Sequence, residues 1–192
     1  MSPTGSLPKP SGRGIFLDRD GVINVYRPEY VRVRADFEYY PFTRAAFQLL
    51  GTLGVPICVV SNQSGIARGY TSRAEVDAIH EQLRADATSW GASIAAIEIC
   101  PHLPGEGCGC RKPGAALFER AAAVAGVGFS GSFMVGDAPS DIEVGRRLGM
   151  TTFRVRTGRG AEPAVPGFEA DADVEDLLAA ARRIAQRLGP GP

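Results

Sequence analysis

Five short apolar runs divide this 192-residue chain, and three of them stop on a polar side chain. They are Gly14 to Asp18, Pro56 to Ser61, Ile94 to Cys100, Ser132 to Asp137 and Thr151 to Val155. The first two read as strands buried on both faces, the habit of a parallel sheet, and the other three as further strands. Helical spacing fills the intervals. Thr43 is placed as N-cap of a helix to Leu53, stopped by Gly54. Ser72-Arg73-Ala74-Glu75 is a capping box for a helix to about Trp90. A third helix follows Pro113 to near Gly126, and Pro139 opens a fourth that stops at Gly149. Asp173 is placed as cap of a last helix, Val174 to Leu188, whose arginines 182, 183 and 187 lie toward its negative end. Alternating strands and helices predict an α/β fold of three layers with a mainly parallel sheet, forming a single domain over residues 14–192. The Pro/Gly/Ser-rich stretch 1–13 is expected to be a disordered tail.

Composition narrows the partners. Basic and acidic residues balance at 21 each and the pI is near 6.7. With no long basic run, neither nucleic acid nor a membrane surface is an expected partner. No apolar stretch reaches the ~18–20 residues of a bilayer span, and no signal-peptide core is found near the N-terminus. The expectation is a cytoplasmic monomer. Two residue types are distributed unevenly. Lys9 and Lys112 are the only lysines, and four of the six Cys and His residues fall between Cys100 and Cys110, just before Lys112.

Ligands of open α/β sheets bind at the carboxyl ends of the strands, where this chain places Asp18, Ser61-Asn62 and Asp137. In Asp18-Arg19-Asp20-Gly21 the two acids, two residues apart, tend to project to one side. One carboxylate can attack phosphorus while its neighbour handles protons. Alone, this motif is also an ordinary acidic turn.

Four segments appear in order: Phe16-Leu17-Asp18-Arg19-Asp20-Gly21-Val22-Ile23-Asn24, Ser61-Asn62-Gln63-Ser64-Gly65-Ile66-Ala67-Arg68-Gly69, Arg111-Lys112-Pro113, and Gly136-Asp137 with Asp141. Together they resemble the four motifs of the haloacid dehalogenase (HAD) superfamily and, more narrowly, its heptose-bisphosphate and histidinol-phosphate phosphatases. The resemblance covers about Ile15 to Val155 and implies a HAD-like Rossmannoid phosphatase. It implies Asp18 as the nucleophile forming an aspartyl-phosphate and Asp20 as proton donor and acceptor. Ser61 and Lys112 would hold phosphoryl oxygens, with Asn62, Gln63, Ser64 and Arg111 in substrate binding. Asp18, Asp137 and the Asp20 carbonyl would bind Mg²⁺, with Asp141 supporting the metal or Lys112. About 40 residues separate Asp20 from Ser61 and about 50 separate Ser61 from Lys112. Neither interval has room for an inserted cap, so the fold is expected to be capless.

Charge arithmetic independently calls for the metal. Each like-charge pair at about 4 Å costs on the order of 4 kcal/mol at an effective dielectric of 20. One lysine cannot offset several such pairs among Asp18, Asp20, Asp137 and a phosphate, whereas a hard divalent cation can. Cys100, His102, Cys108 and Cys110 form the ligand set of a structural zinc site, closed to solvent by four protein ligands. Reduced surface cysteines or a disulfide are the alternatives, the latter disfavoured in the cytoplasm. Cys58 reads as core and His80 as a surface or packing residue.

For the substrate, a sugar bisphosphate asks for Arg around its second phosphate, whereas histidinol phosphate asks for acid around its ammonium. The flap from Asn24 to Asp36 and neighbouring loops carry Arg27, Arg32, Arg34, Arg68 and Arg111 against Glu29 and Asp36. The expected reaction is removal of the 7-phosphate of a heptose 1,7-bisphosphate. Histidinol-phosphate hydrolysis is the enzymatic alternative, and an inactive zinc-stabilised binding module is the non-enzymatic one. Ala138 departs from the Lys often found at this place in the heptose subgroup.

Overall fold

The computed structural model describes residues 12–162, 166–167 and 169–189. Six strands, β1 (Ile15–Leu17), β2 (Ile57–Asn62), β3 (Ile94–Cys100), β4 (Phe133–Gly136), β5 (Thr151–Val155) and β6 (Ala172–Val174), form one sheet in the order β3-β2-β1-β4-β5-β6. Every ladder in it is parallel. Five helices connect them: α1 (Thr43–Gly51), α2 (Arg73–Ser89), α3 (Ala116–Ala125), α4 (Pro139–Arg147) and α5 (Leu177–Leu188).

Alternation along the strands sorts the helices into two layers. Ile15, Leu17, Val59, Val135 and Phe153 pack with Phe47 and Leu50 of α1, Leu83 of α2 and Ile184 of α5. Phe16, Cys58, Val60 and Met134 point the other way, onto Leu117 and Phe118 of α3 and Val144 of α4. Complete burial of each large apolar side chain stabilises the fold by about 1.5–3 kcal/mol. Cys58 is thus core, as expected, and burial pushes its thiol up to about 12. The chain runs outward from β1 through β2 to β3, then returns to the other side of β1 for β4 to β6. The order reverses beside β1, opening a crevice at the strands' carboxyl ends. No inserted domain occupies either interval: Asp20 to Ser61 holds the flap, a 3-10 turn at Arg34–Asp36 and α1, and Ser61 to Lys112 holds α2, β3 and the cysteine loop.

Several local expectations need correction. Phe42, not Thr43, precedes α1, and the Thr43 hydroxyl instead donates to the Ile23 carbonyl at 2.6 Å. Asp173 does not cap the last helix; it lies in β6 and forms an ion pair with Arg154 at 2.6 Å. Asp176 is the cap, accepting from the Ala179 N–H at 2.8 Å. As an edge strand with exposed Asp173 at its centre, β6 shows no apolar run and merges with the helix in the sequence. The capping residue Ser72 accepts from the Glu75 N–H as expected. Residues 1–11 of the expected tail lie outside the described residues, while Gly12 bridges Val127 and its carbonyl accepts from the Gly128 N–H. No described helix is long and apolar enough to cross a membrane.

Candidate active site

The loops leaving β1, β2 and β4 enclose a cleft of about 170 Å³. Asp18, Asp20, Ser61, Asn62 and Gln63 line it, with Ser64, Arg111, Lys112 and Asp137. The expected catalytic residues, the magnesium carboxylates and Asn62, Gln63 and Ser64 thus share one cavity with Arg111, whereas Asp141, Arg32, Arg34 and Arg68 do not line it. Asp18 follows β1, its N–H donating to the Val135 carbonyl of β4 at 2.9 Å. Gly21 turns the chain with φ +87°, and a Cβ there would sit 2.0 Å from Asp137 Oδ2. Gly158 closes the same carboxylate from the other side, where a Cβ would approach Oδ2 to 2.3 Å. Only glycine fits these two positions while the Arg159 N–H donates to Oδ2 at 2.8 Å.

Lys112 is buried, with Nζ 2.8 Å from Asp18 Oδ1 and 2.7 Å from Asp141 Oδ1. The ammonium also donates to the Val60 carbonyl. Asn62 grips the lysine backbone from both sides: its Oδ1 accepts from the Lys112 N–H at 3.0 Å and its Nδ2 donates to the Lys112 carbonyl at 3.3 Å. Asp141 thus supports Lys112, and its second oxygen accepts from the Ala138 N–H at the start of α4.

These acids outnumber the nearby cation, and their titration reflects it. Burial pushes Asp18 up to about 6; Lys112 pulls against this, and the charges of Asp141 and Asp20 add to it. Burial, then the charges of Asp18 and Asp141, raise Asp137 well above the ordinary carboxylate range. Burial depresses Lys112, but Asp141 and Asp18 outweigh it and leave the ammonium more basic than usual. One oxygen from each of Asp18, Asp137 and Asp141 lies within 4.8 Å of the others. An all-oxygen, negatively overcharged set suits a hard divalent cation. Asp141 has both oxygens engaged, by Lys112 and by the Ala138 N–H, whereas Asp18 and Asp137 line the cleft and are each engaged through one oxygen, so they are the carboxylates best suited to hold it.

Asp20 has the opposite surroundings. Burial would raise it, but Arg19 and hydrogen bonds from Asn24, Arg19 and Gln63 overcome that and hold it below the ordinary range. Arg19 Nη2 donates to both Asp20 oxygens at 2.9 Å. Asn24 Nδ2 reaches Oδ1 at 2.9 Å and Gln63 Nε2 reaches Oδ2 at 2.6 Å. Sequence reading missed Arg19 and Asn24 because a buried arginine and a turn asparagine carry no period or spacing of their own. His80, expected at the surface or in packing, is buried with Nε2 3.2 Å from Arg19 Nη1. Burial, then the Arg19 charge, lowers it to about 3.

The mouth of the cleft carries Arg27, Arg111 and Arg159, while its acidic lining is confined to Asp18, Asp20 and Asp137. Arg159 was not foreseen; its signal was only a glycine-flanked arginine after β5. Of the flap arginines, Arg27 lines the cleft and pairs with Glu38 at 3.2 Å. Arg32 instead lies over the Tyr70 ring, and Arg34 bonds Gln82.

The cysteine loop gathers its four expected ligands. Cys110 Sγ lies 3.2 Å from Cys100 Sγ, 3.4 Å from Cys108 Sγ and 3.3 Å from His102 Nδ1. Ligands about 2.3 Å from a central zinc stand about 3.7 Å apart, close to these separations, and no disulfide joins the thiols. A hydrogen bond from the Arg111 backbone brings Cys108 down to about 6, favouring the thiolate that metals bind.

A family profile described as HAD-hydrolase-like matches residues 109–180. D-glycero-beta-D-manno-heptose-1,7-bisphosphate 7-phosphatase of Pseudomonas putida is 37% identical over 171 residues, 88% of this chain and 98% of that protein. D-glycero-alpha-D-manno-heptose-1,7-bisphosphate 7-phosphatase of Photorhabdus laumondii is 37% identical over 151 residues, 74% of this chain and 82% of its own length. The crystal structure of the D,D-heptose 1,7-bisphosphate phosphatase of B. bronchiseptica, complexed with magnesium and phosphate, superposes with a TM-score of 0.82 at 32% identity, covering 91% of this chain and 98% of the other. Identity at this level across nearly the whole of its relatives, together with the assembled motifs, means that the chain belongs to the heptose-1,7-bisphosphate 7-phosphatase family of HAD-like hydrolases.

Proposed function

We propose that the chain is a magnesium-dependent phosphomonoesterase that removes the 7-phosphate of D-glycero-D-manno-heptose 1,7-bisphosphate. The observation that carries this is the meeting of Asp18, Asp20, Asp137 and buried Lys112 in one cleft with a cationic mouth. An Asp18 oxygen attacks phosphorus as the bond to the sugar oxygen breaks, and Asp20 gives that oxygen a proton. Water then attacks the aspartyl-phosphate, Asp20 takes its proton, and phosphate leaves with Asp18 restored. Ser61 and Lys112 hold phosphoryl oxygens meanwhile. The arriving phosphate adds negative charge beside Asp20 and raises its proton affinity, which equips a carboxylate ionised at rest to act as an acid.

Asp18, Asp137 and the Asp20 carbonyl would hold magnesium, which when bound supplies the positive charge that offsets repulsion between these acids and the phosphate. Cys100, His102, Cys108 and Cys110 hold a structural zinc ion in this reading, and residues 14–192 act as one unit in the cytoplasm. Three arginines at the mouth favour a second phosphate. With its acids confined to the reaction centre, the lining offers no rim carboxylate to an ammonium, which counts against histidinol phosphate. The test is phosphate release from both heptose bisphosphate anomers and from histidinol phosphate, with Asp18→Asn as control. Heptose bisphosphate is expected to lead in kcat/KM by at least about tenfold. Faster histidinol-phosphate turnover, or an active Asp18→Asn variant, refutes the reading.

A further inference from the structure

We propose that Arg19 and His80 are positioning residues that fix the Asp20 carboxylate in its orientation toward the leaving group. The inference rests on the reading of Asp20 as the proton donor and acceptor.

Arg19 is the largest fully buried side chain in the described protein. Withdrawing a guanidinium from water costs several kcal/mol unless its donors are met. Here the donors are met by the site rather than by the surrounding core. Nη2 bridges both Asp20 oxygens, Nε reaches Oδ1 at 3.3 Å, and Nη2 also donates to Gln63 Oε1 at 3.1 Å. The last contact sets the orientation of the Gln63 amide. With its oxygen toward Arg19, its Nε2 donates to Asp20 Oδ2 at 2.6 Å and to Ser61 Oγ at 2.9 Å. Arg19 thereby holds Asp20 directly and a second time through Gln63.

His80 anchors the far side of the guanidinium. It lies on the buried face of α2 with Val76, Ile79 and Leu83, where an apolar residue would serve packing alone. A guanidinium cannot accept a hydrogen bond, so His80 Nε2 accepts from Nη1 and the ring is the neutral Nδ1–H tautomer. Phe37 covers the guanidinium, its ring centroid 5.7 Å from Cζ. With the planar fork held by α2 and this aromatic ring, rotation of the Asp20 carboxylate would break several charge-assisted hydrogen bonds at once.

A double-mutant cycle with Asp20 tests this, using heptose bisphosphate and checking folding of each variant by circular dichroism. R19K keeps the charge but loses the fork; it is expected to lower kcat about tenfold with KM within about twofold. D20N is expected to lower kcat by about 10² or more. In the D20N background, R19K should cost less than about twofold further, because there is no acid left to position. Losses that multiply would show that Arg19 acts on the fold generally and would overturn the inference. If D20N turns over like the parent, the reading of Asp20 fails first, and this inference with it. Should R19K not fold, H80Q and H80F carry the same cycle. H80Q keeps an acceptor and should stay within about twofold of the parent, whereas H80F should match the R19K loss and be silent in D20N. Equal behaviour of H80Q and H80F also overturns the proposal.

Discussion

Asp18 and Asp20 stand two residues apart in one buried cleft, yet their surroundings drive them in opposite directions. Burial, helped by the charges of Asp141 and Asp20 and only partly countered by Lys112, pushes the Asp18 carboxyl up to about 6. Asp20 is surrounded by donors from Arg19, Asn24 and Gln63 and is held low. The difference separates two ways of burying a carboxylate. On the Asp20 side the protein supplies the compensating donors itself. On the Asp18 side it leaves a negative excess of the kind that a divalent cation would neutralise. The first arrangement is complete within the protein; the second is not.

The largest effect should come from withholding that cation. Treatment with EDTA is expected to cut turnover by about 10³-fold or more, with recovery on adding Mg²⁺. Magnesium at 100 times its Kd should also stabilise the parent by about 2.7 kcal/mol. Asp137→Asn, which relieves part of the negative excess, should lose most of that gain in thermal unfolding. Full activity in a verified metal-free sample, or an unchanged gain in Asp137→Asn, would erase the contrast between the two sides.

A smaller effect is expected from Cys110→Ser, which disturbs only the Lys112 side. Only Arg111 separates Cys110 from Lys112, so the variant should lose zinc by metal analysis and about tenfold in kcat. Normal turnover in a folded, zinc-free variant would detach the cluster from the reaction.

The smallest concerns the Asp20 side. His80 falls from 6.5 to about 3 on folding, so between these values the unfolded chain binds a proton that the folded chain does not. Stability then falls as pH drops below 6.5, by about 0.8 kcal/mol at pH 6, and the loss stops growing once pH passes below about 3. His80→Gln should remove this component from the pH dependence of denaturant unfolding. An unchanged slope would contradict the buried neutral imidazole.

Much of this architecture was legible in the sequence, and the exceptions share a cause. Strands β1, β2 and β4 announce themselves because burial on both faces demands continuous apolar runs, and Asp18, Ser61 and Asp137 lie where such runs stop; β3 and β5 remain legible although Glu98 and Arg154 interrupt them. The four ligands of the cysteine loop are legible because their side chains are rare elsewhere in the chain. Strand β6 escaped because it is an edge strand with the exposed Asp173 at its centre and so has no apolar run, and Asp173 thereby reads as the cap in place of Asp176. Arg19, Asn24 and His80 escaped differently. Arg19 and His80 depend on partners the fold brings from 44 and 61 residues away, of which spacing within the chain contains no trace, and Asn24, only four residues from Asp20, looks like any turn asparagine. Arg159 belongs with them: its backbone N–H is placed by the turn after β5, not by its own side chain.

The two-sided hold of Asn62 on the Lys112 backbone has a wider meaning for how the cysteine loop can vary. It fastens the ammonium to the end of β2, while the clustered thiols and imidazole tie off the base of the hairpin. The exposed tip, residues 104–107, is left mechanically insulated from the chemistry. Residues 104–107 do not line the cleft, so insertions or deletions there should leave the lysine where it is.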